Sequence, residues 1–189
     1  EVAILDDGLQ DHSIDYDLRF VCFNNINWKG NGMTIPSGPL REEFINIKKY
    51  ENIFLNGNLE NLDFLKKEIL DTNPDINIHI GKYEPLNIEE FKKNENYLVF
   101  SGIGNHNTFL SMLKNCGLNI IKDIEFSDHH NYTNKEITKI LEEALSLNCK
   151  VITTEKDYFR LEKKYNNKIK YIKSNLKIID EDKLIKCII

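Results

Sequence analysis

Residues 134–154 read NKEITKILEEALSLNCKVITT. Ile137, Ile140, Leu141, Ala144 and Leu145 recur at i, i+3 and i+4, which winds one apolar stripe along a helix over residues 134–147. The stripe stops at Asn148, and Val151, Ile152 and Thr153 then form a β-branched run too short to be a helix, the pattern of a strand buried on both faces. A helix followed directly by a two-sided buried strand is half of a crossover between parallel strands.

Working outward from this unit, the same alternation recurs. Strand candidates lie at residues 2–5, 20–23, 52–55, 76–80, 97–100, 119–124, 150–153 and 170–172, bounded by Gly, Asn, Asp or Pro. Residues 62–70 and 108–115 carry further helical spacing. Strands alternating with helices imply an α/β fold with a mainly parallel sheet and flanking helices. Between Ile76 and Pro85 the pattern loosens into Ile-x-Ile-x-Ile followed by Tyr83-Glu84-Pro85, so two parts are expected, residues 1–75 and residues 76–189.

Composition narrows the classes. With 189 residues the chain can bury a full core. Its 41% hydrophobic and 29% charged residues contain no apolar run long enough to cross a bilayer, and no signal peptide is expected. A net charge of -5 argues against a general nucleic-acid binder. Lys48-Lys49, Lys66-Lys67 and Lys163-Lys164 can meet anionic lipid or simply solvate helix faces. Cys22, Cys116, Cys149 and Cys187 form no CxxC pair and read as small core residues of a reducing compartment, with no zinc site.

Five segments carry residues suited to chemistry. The apolar run Val2-Ala3-Ile4-Leu5 ends in Asp6-Asp7-Gly8-Leu9-Gln10. A strand that stops at paired carboxylates delivers oxygen ligands for Mg²⁺ to the top of a sheet, with Gln10 placed to orient a ligand; an ordinary Asp-Gly turn uses the same residues. The loop from Gly30 to Pro39 concentrates Gly and Pro and ends in Leu40-Arg41-Glu42, where a helix is expected to begin. Its backbone N–H groups can approach anionic oxygen, Arg41 can clamp a phosphate in bidentate fashion, and Glu42 can join a metal shell; a structural loop with a surface pair is the alternative.

Ser101-Gly102-Ile103-Gly104-Asn105 follows a strand, but Asn107 stands where a dinucleotide fingerprint needs glycine. Asp128-His129-His130-Asn131-Tyr132 precedes the 134–147 helix and offers imidazoles for proton transfer or metal binding, or for packing. Thr153-Thr154-Glu155-Lys156-Asp157 closes the 150–153 strand with a helix cap from Thr154 and Asp157; capping leaves Glu155 and Lys156 without a purpose.

In their order and spacing these five motifs resemble the tetraacyldisaccharide 4'-kinase family, the lipid A 4'-kinases of Gram-negative bacteria. The resemblance implies a P-loop kinase-like core with a smaller Rossmann-like subdomain closing over the active site. It implies transfer of the γ-phosphate of ATP, with Mg²⁺, to the 4'-hydroxyl of a tetraacyl disaccharide 1-phosphate, the lipid A disaccharide precursor. The expected setting is cytoplasmic, peripheral at the cytosolic face of the inner membrane. On this resemblance Asp6 and Asp7 look like Walker B acids, Asp7 and Gln10 lie near Mg²⁺, and Arg41 and Glu42 look like the phosphate-clamping and metal-assisting pair. His129 looks like the histidine that works with an aspartate of the N-terminal half to take the proton of the sugar hydroxyl.

The chain departs from the family at Asp11, His106 and Ser127, which concern loop shape. It also contains no Gly-x-x-x-x-Gly-Lys-[Ser/Thr], so the phosphate cradle and the partner aspartate are expected upstream, in a missing N-terminal half, and the 189 residues alone are expected to be inactive. Two other readings remain open from the residues themselves. One is a two-metal phosphoesterase using Asp6, Asp7 and the Asp128-His129-His130 segment; the other is a receiver-like binding domain, which lacks its acceptor Asp near Asn56-Gly57.

Overall fold

The computed structural model describes residues 2–11 and 13–188. Two mainly parallel sheets organise them. In chain order the strands and helices are β1 (Phe20–Asn24), β2 (Asn52–Asn56), α1 (Leu62–Thr72), β3 (Asn77–Pro85), β4 (Asn96–Ser101), α2 (His106–Asn115), β5 (Asn119–Glu125), α3 (Asn134–Ser146), β6 (Lys150–Thr154), α4 (Glu155–Tyr158), β7 (Ile169–Ile172), β8 (Ser174–Ile179) and α5 (Glu181–Ile188). One sheet has the order β1-β2-β3-β8 and the other β5-β4-β6-β7. β1, β2 and β3 pair in parallel, as do β5, β4, β6 and β7 along the second sheet. This is the α/β architecture of mostly parallel sheet and flanking helices that the alternation implies.

The chain divides into two compact units, Glu1–Lys82 with Ile178–Ile189, and Tyr83–Lys177, and passes from one to the other within β3 and within β8. The division expected between residues 75 and 76 lies just before β3.

In the second unit the strands are covered on both faces. Tyr97 and Val99 of β4 and Ile152 of β6 pack with Phe109, Met112 and Leu113 of α2. Their neighbours Leu98, Phe100 and Val151 point the other way, against Ile137, Ile140 and Ala144 of α3. Alternate residues therefore feed opposite apolar layers, which is why β4 reads as one continuous hydrophobic run. α3 starts at a reciprocal cap: the Glu136 N–H donates to Thr133 Oγ1 at 3.2 Å and the Thr133 N–H to Glu136 Oε2 at 2.7 Å. The first unit has its own core, in which Ile53 and Leu55 of β2 meet Leu65 and Ile69 of α1.

The strand expected over residues 2–5 is not formed. Val2 is 81% and Ile4 91% exposed, and no described residue pairs with the segment in a ladder. An apolar run becomes a strand only when a neighbour takes its N–H and C=O groups and something covers its side chains. The cysteines also differ from expectation: Cys22 is exposed and the other three are half-buried free thiols, of which Cys149 packs against the α3 side of the core, and none is fully buried. Among the described residues no helix is long and apolar enough to cross a membrane.

Candidate functional site

Two polar clusters, one in each unit, hold the chemistry-bearing segments. In the first unit the loop between Gly30 and Leu40 is bonded to itself. Asn31 accepts from the Met33 N–H and donates to Ser37 O, Leu40 N–H donates to Met33 O, and Ile35 N–H to Leu40 O. A Cβ at Gly38 would sit 2.2 Å from Asn31 Oδ1, so only glycine lets the loop close. These N–H groups are engaged within the loop, contrary to the expectation that they reach outward to anionic oxygen. The loop is a brace, and Arg41 and Glu42 leave its end just ahead of a 3₁₀ helix at Phe44–Lys49, close to where a helix is expected to begin.

There the structure gathers four of the expected residues. Arg41 Nη2 lies 2.8 Å from Asp7 Oδ2, with both side chains more than half exposed. Glu42 accepts from Gln10 Nε2 at 3.0 Å, from Tyr50 Oη at 3.1 Å and from Asn46 Nδ2 at 3.2 Å. The Gln10 hydrogen bond, first, then those from Tyr50 and Asn46 and the Lys49 charge hold the Glu42 carboxyl below its ordinary range, against the opposing effect of burial. Asp6 is exposed beside them. The donor set is all oxygen, which suits Mg²⁺: that ion takes one or two carboxylates and fills its shell with water and phosphate oxygens. Among the described residues no group of three or more His, Cys, Asp or Glu side chains converges on one metal position. The fit is therefore to a metal shared with a phosphate, and not to a closed protein cage.

The second cluster sits at a topological switch point. β4 is flanked by β5 on one side and β6 on the other, and in open α/β sheets ligands bind beyond the carboxyl ends of strands at such a reversal. β4 ends at Ser101 and β6 at Thr154, and the loop after β5 carries the histidines. At the centre is Asp157, fully buried. Its Oδ2 accepts from Thr154 Oγ1 at 2.7 Å and from the Gly102 N–H at 3.0 Å, while Oδ1 faces Arg160 Nη1 at 3.4 Å. A Cβ at Gly102 would lie 2.9 Å from Tyr132 Oη, so glycine is required for that approach. The Tyr132 hydroxyl is buried without a hydrogen bond of ordinary geometry; burial and, second, the Asp157 charge push its ionisation far up.

The two adjacent histidines part company. His130 stacks on Phe126 with ring centroids 4.7 Å apart and sets Nε2 3.2 Å from Glu136 Oε1, a packing role. His129 stands 79% exposed in a left-handed backbone conformation, φ 58°. Its N–H donates to Gly102 O at 3.1 Å and to Asp128 Oδ1 at 2.9 Å, and Arg160 Nη2 lies 3.0 Å from its Nδ1.

Sequence reasoning saw Asp157 as a helix cap and did not see Arg160 at all. The cap is real, since the Asp157 N–H donates to Thr154 Oγ1 at 3.1 Å. The same carboxylate, however, also ties the Gly102 peptide and Arg160 together. The Arg at i+3 from Asp157 was the available signal. Also unforeseen is Ser101–His106–Asp123: Ser101 Oγ is 2.6 Å from His106 Nδ1, and His106 Nε2 is 3.3 Å from Asp123 Oδ2. The order resembles a nucleophile with its base, but Ser101 is fully buried and its hydroxyl is engaged with His106. It binds α2 to β4 and β5.

Parallel α/β units with polar clusters at loop ends and beyond strand ends define an α/β protein whose candidate site residues lie where open α/β sheets carry their ligands. A model of the family described as tetraacyldisaccharide-1-P 4'-kinase matches residues 1–189, and the chain belongs to that family. The tetraacyldisaccharide 4'-kinase of Pelagibacter ubique is 59% identical over 97% of this chain and 59% of its own length. That of Rickettsia felis is 35% identical over 88% of this chain and 50% of its own. This chain thus spans about half of the curated relatives it matches. A crystal structure of LpxK from Aquifex aeolicus in complex with ATP has the same fold, with a TM-score of 0.56 at 22% identity, over 96% of this chain and 55% of that one.

Proposed function

We propose that this chain carries part of the machinery of a tetraacyldisaccharide 4'-kinase, which moves the γ-phosphate of ATP to the 4'-hydroxyl of a lipid A disaccharide precursor. The observation that carries the reading is a pair of contacts, Asp7 with Arg41 and Gln10 with Glu42, which tie the acidic segment near the start of the chain to the two residues that follow the Gly30–Leu40 loop. Family membership supports it. In the reaction the sugar oxygen forms a bond to the γ-phosphorus, the bond to the β–γ bridging oxygen breaks, and ADP carries away that electron pair while the hydroxyl proton passes to a base.

Each residue has a part in this scheme. Arg41, planar and forked, binds phosphate oxygens once released from Asp7. Mg²⁺, when bound, would neutralise phosphate charge, and of Asp6, Asp7 and Glu42 one or two would hold it, with water and phosphate oxygens filling its shell. Gln10 orients Glu42. His129 serves the acceptor hydroxyl together with a carboxylate from polypeptide outside these 189 residues, which also supplies the phosphate cradle. The setting is the cytosolic face of the inner membrane, with the protein peripheral to it.

The test is transfer of labelled γ-phosphate to a tetraacyl disaccharide 1-phosphate. The chain alone is expected to be inactive, and the chain joined to the portion of the P. ubique relative that it does not match is expected to be active. Kinase activity of the 189 residues alone would show that the catalytic parts have been misassigned. Hydrolysis of phosphate esters without ATP would favour a phosphoesterase instead.

A further inference from the structure

We propose that Arg160, anchored on the buried carboxylate of Asp157, is a positioning residue that fixes His129 as its Nε2–H tautomer, so that His129 meets its ligand as a hydrogen-bond donor and leaves proton acceptance to another group. The catalytic consequence rests on the reading above that His129 serves the acceptor hydroxyl; the tautomer itself does not.

A guanidinium has five N–H donors and no acceptor, so the 3.0 Å contact between Arg160 Nη2 and His129 Nδ1 has one chemical sense: the Nδ1 lone pair accepts. A neutral imidazole carries one proton, which then resides on Nε2. With its only lone pair engaged, the ring donates from Nε2 and has no free site for a second proton.

Arg160 is placed to enforce this because its own position is determined. Thr154 Oγ1 and the Gly102 N–H occupy Asp157 Oδ2, leaving Oδ1 toward Arg160 Nη1. The Arg160 side chain is 29% exposed and its carboxylate partner is wholly buried, so the pair is anchored from the core side. The His129 main chain is held to the same point, its N–H donating to Gly102 O, the carbonyl that Arg160 Nη1 also approaches at 3.5 Å. Backbone and ring of His129 thus refer to one peptide, the turn after β4. This gives Asp157 a purpose that helix capping does not require.

Two-bond ¹H–¹⁵N correlation spectra of the chain labelled in its histidines, recorded at about pH 8.5 where imidazoles are neutral, read each tautomer directly. His129→Gln identifies the signal. The expected result is an Nε2-protonated ring in the wild type. In Arg160→Met the His129 nitrogen shifts are expected to move to the averaged values of mixed tautomers, while the His130 signal stays in place. An Nδ1–H ring in the wild type overturns the proposal, as does a His129 signal indifferent to Arg160→Met. The wild-type spectrum needs no variant, so the proposal is open to refutation even if Arg160→Met fails to fold.

The catalytic arm uses the joined protein. Arg160→Met is expected to lower kcat about 10-fold or more with KM for ATP unchanged, and to add nothing in the His129→Ala background. Multiplying losses would overturn action through His129. A wild-type rate in His129→Ala would instead overturn the functional reading of that residue, and the spectra would still decide the tautomer.

Discussion

The acid cluster around Asp7 and the cluster around Asp157 contain similar groups in opposite circumstances. Asp7 and Arg41 pair in water, at 61% and 54% side-chain exposure, on a segment that no strand partners. Asp157 is fully buried, and donors from two other segments of the second unit, the turn after β4 and the end of β6, converge on it. An exposed pair contributes about 0–1 kcal/mol and exchanges partners readily. A buried carboxylate is stable only with all its donors in place, and removing one partner costs several times more. The first cluster is therefore free to trade its internal ion pair for a ligand, and the second is a fixed frame for the side chain that stands on it.

The largest effect expected concerns what stands on the frame. His129→Ala in the joined protein should reduce kcat by about 10² to 10⁴-fold with little change in ATP affinity, while His130→Ala, whose ring packs on Phe126, should do much less. Steady-state kinetics of the two variants check this. Equal losses for both, accompanied by lower melting temperatures, would return His129 to a packing role.

Next is the frame itself. Asp157→Ala strands the Gly102 N–H, the Thr154 hydroxyl and Arg160 around a void, and should destabilise the second unit by about 3 kcal/mol or more in denaturant titration. Melting unchanged from wild type would break the contrast between the two clusters.

Asp7→Ala should do the reverse. Turnover at limiting Mg²⁺ should fall about 10²-fold or more, with stability unchanged within about 0.5 kcal/mol, since only an exposed pair is lost. Loss of folding without loss of turnover would place Asp7 in the structure and not in the site.

The smallest effect is a pH dependence. Glu42 is held below its ordinary value of 4.5 in the folded protein, chiefly by Gln10. A carboxyl lowered on folding adds stability above its unfolded value, and that contribution disappears as pH falls through its folded value. Wild type and Glu42→Gln should therefore differ in melting temperature at neutral pH and converge as the pH is lowered below about 4. A gap absent at neutral pH would remove Glu42 from the hydrogen-bonded cluster.

The strands and helices of the second unit were legible because each carries its own period. Ile137, Ile140 and Ala144 mark the buried face of α3, and Leu98, Val99 and Phe100 show that β4 is covered on both sides. Val2, Ile4 and Leu5 are equally apolar and remain exposed, because composition does not provide a neighbouring strand. β8 and α5 went unforeseen: Ser174–Ile179 mixes polar and apolar residues, and α5, although amphipathic, is short and buries no residue fully.

The candidate site divides in the same way. The residue types of Asp6, Asp7, Gln10, Arg41, Glu42 and His129 pointed to phosphate, metal and proton chemistry from the sequence alone. What the sequence determined was thus the local periodicity and the inventory of reactive groups, since both depend on residues near one another in the chain. Only the tertiary structure decided which groups meet. Gly102, His129 and the Asp157–Arg160 pair lie far apart in sequence and are joined because the sheet order β5-β4-β6 sets the ends of β4 and β6 side by side and brings the loop after β5 to them. Long-range strand order is set by packing both faces of a sheet, a property of the whole unit that no single segment carries.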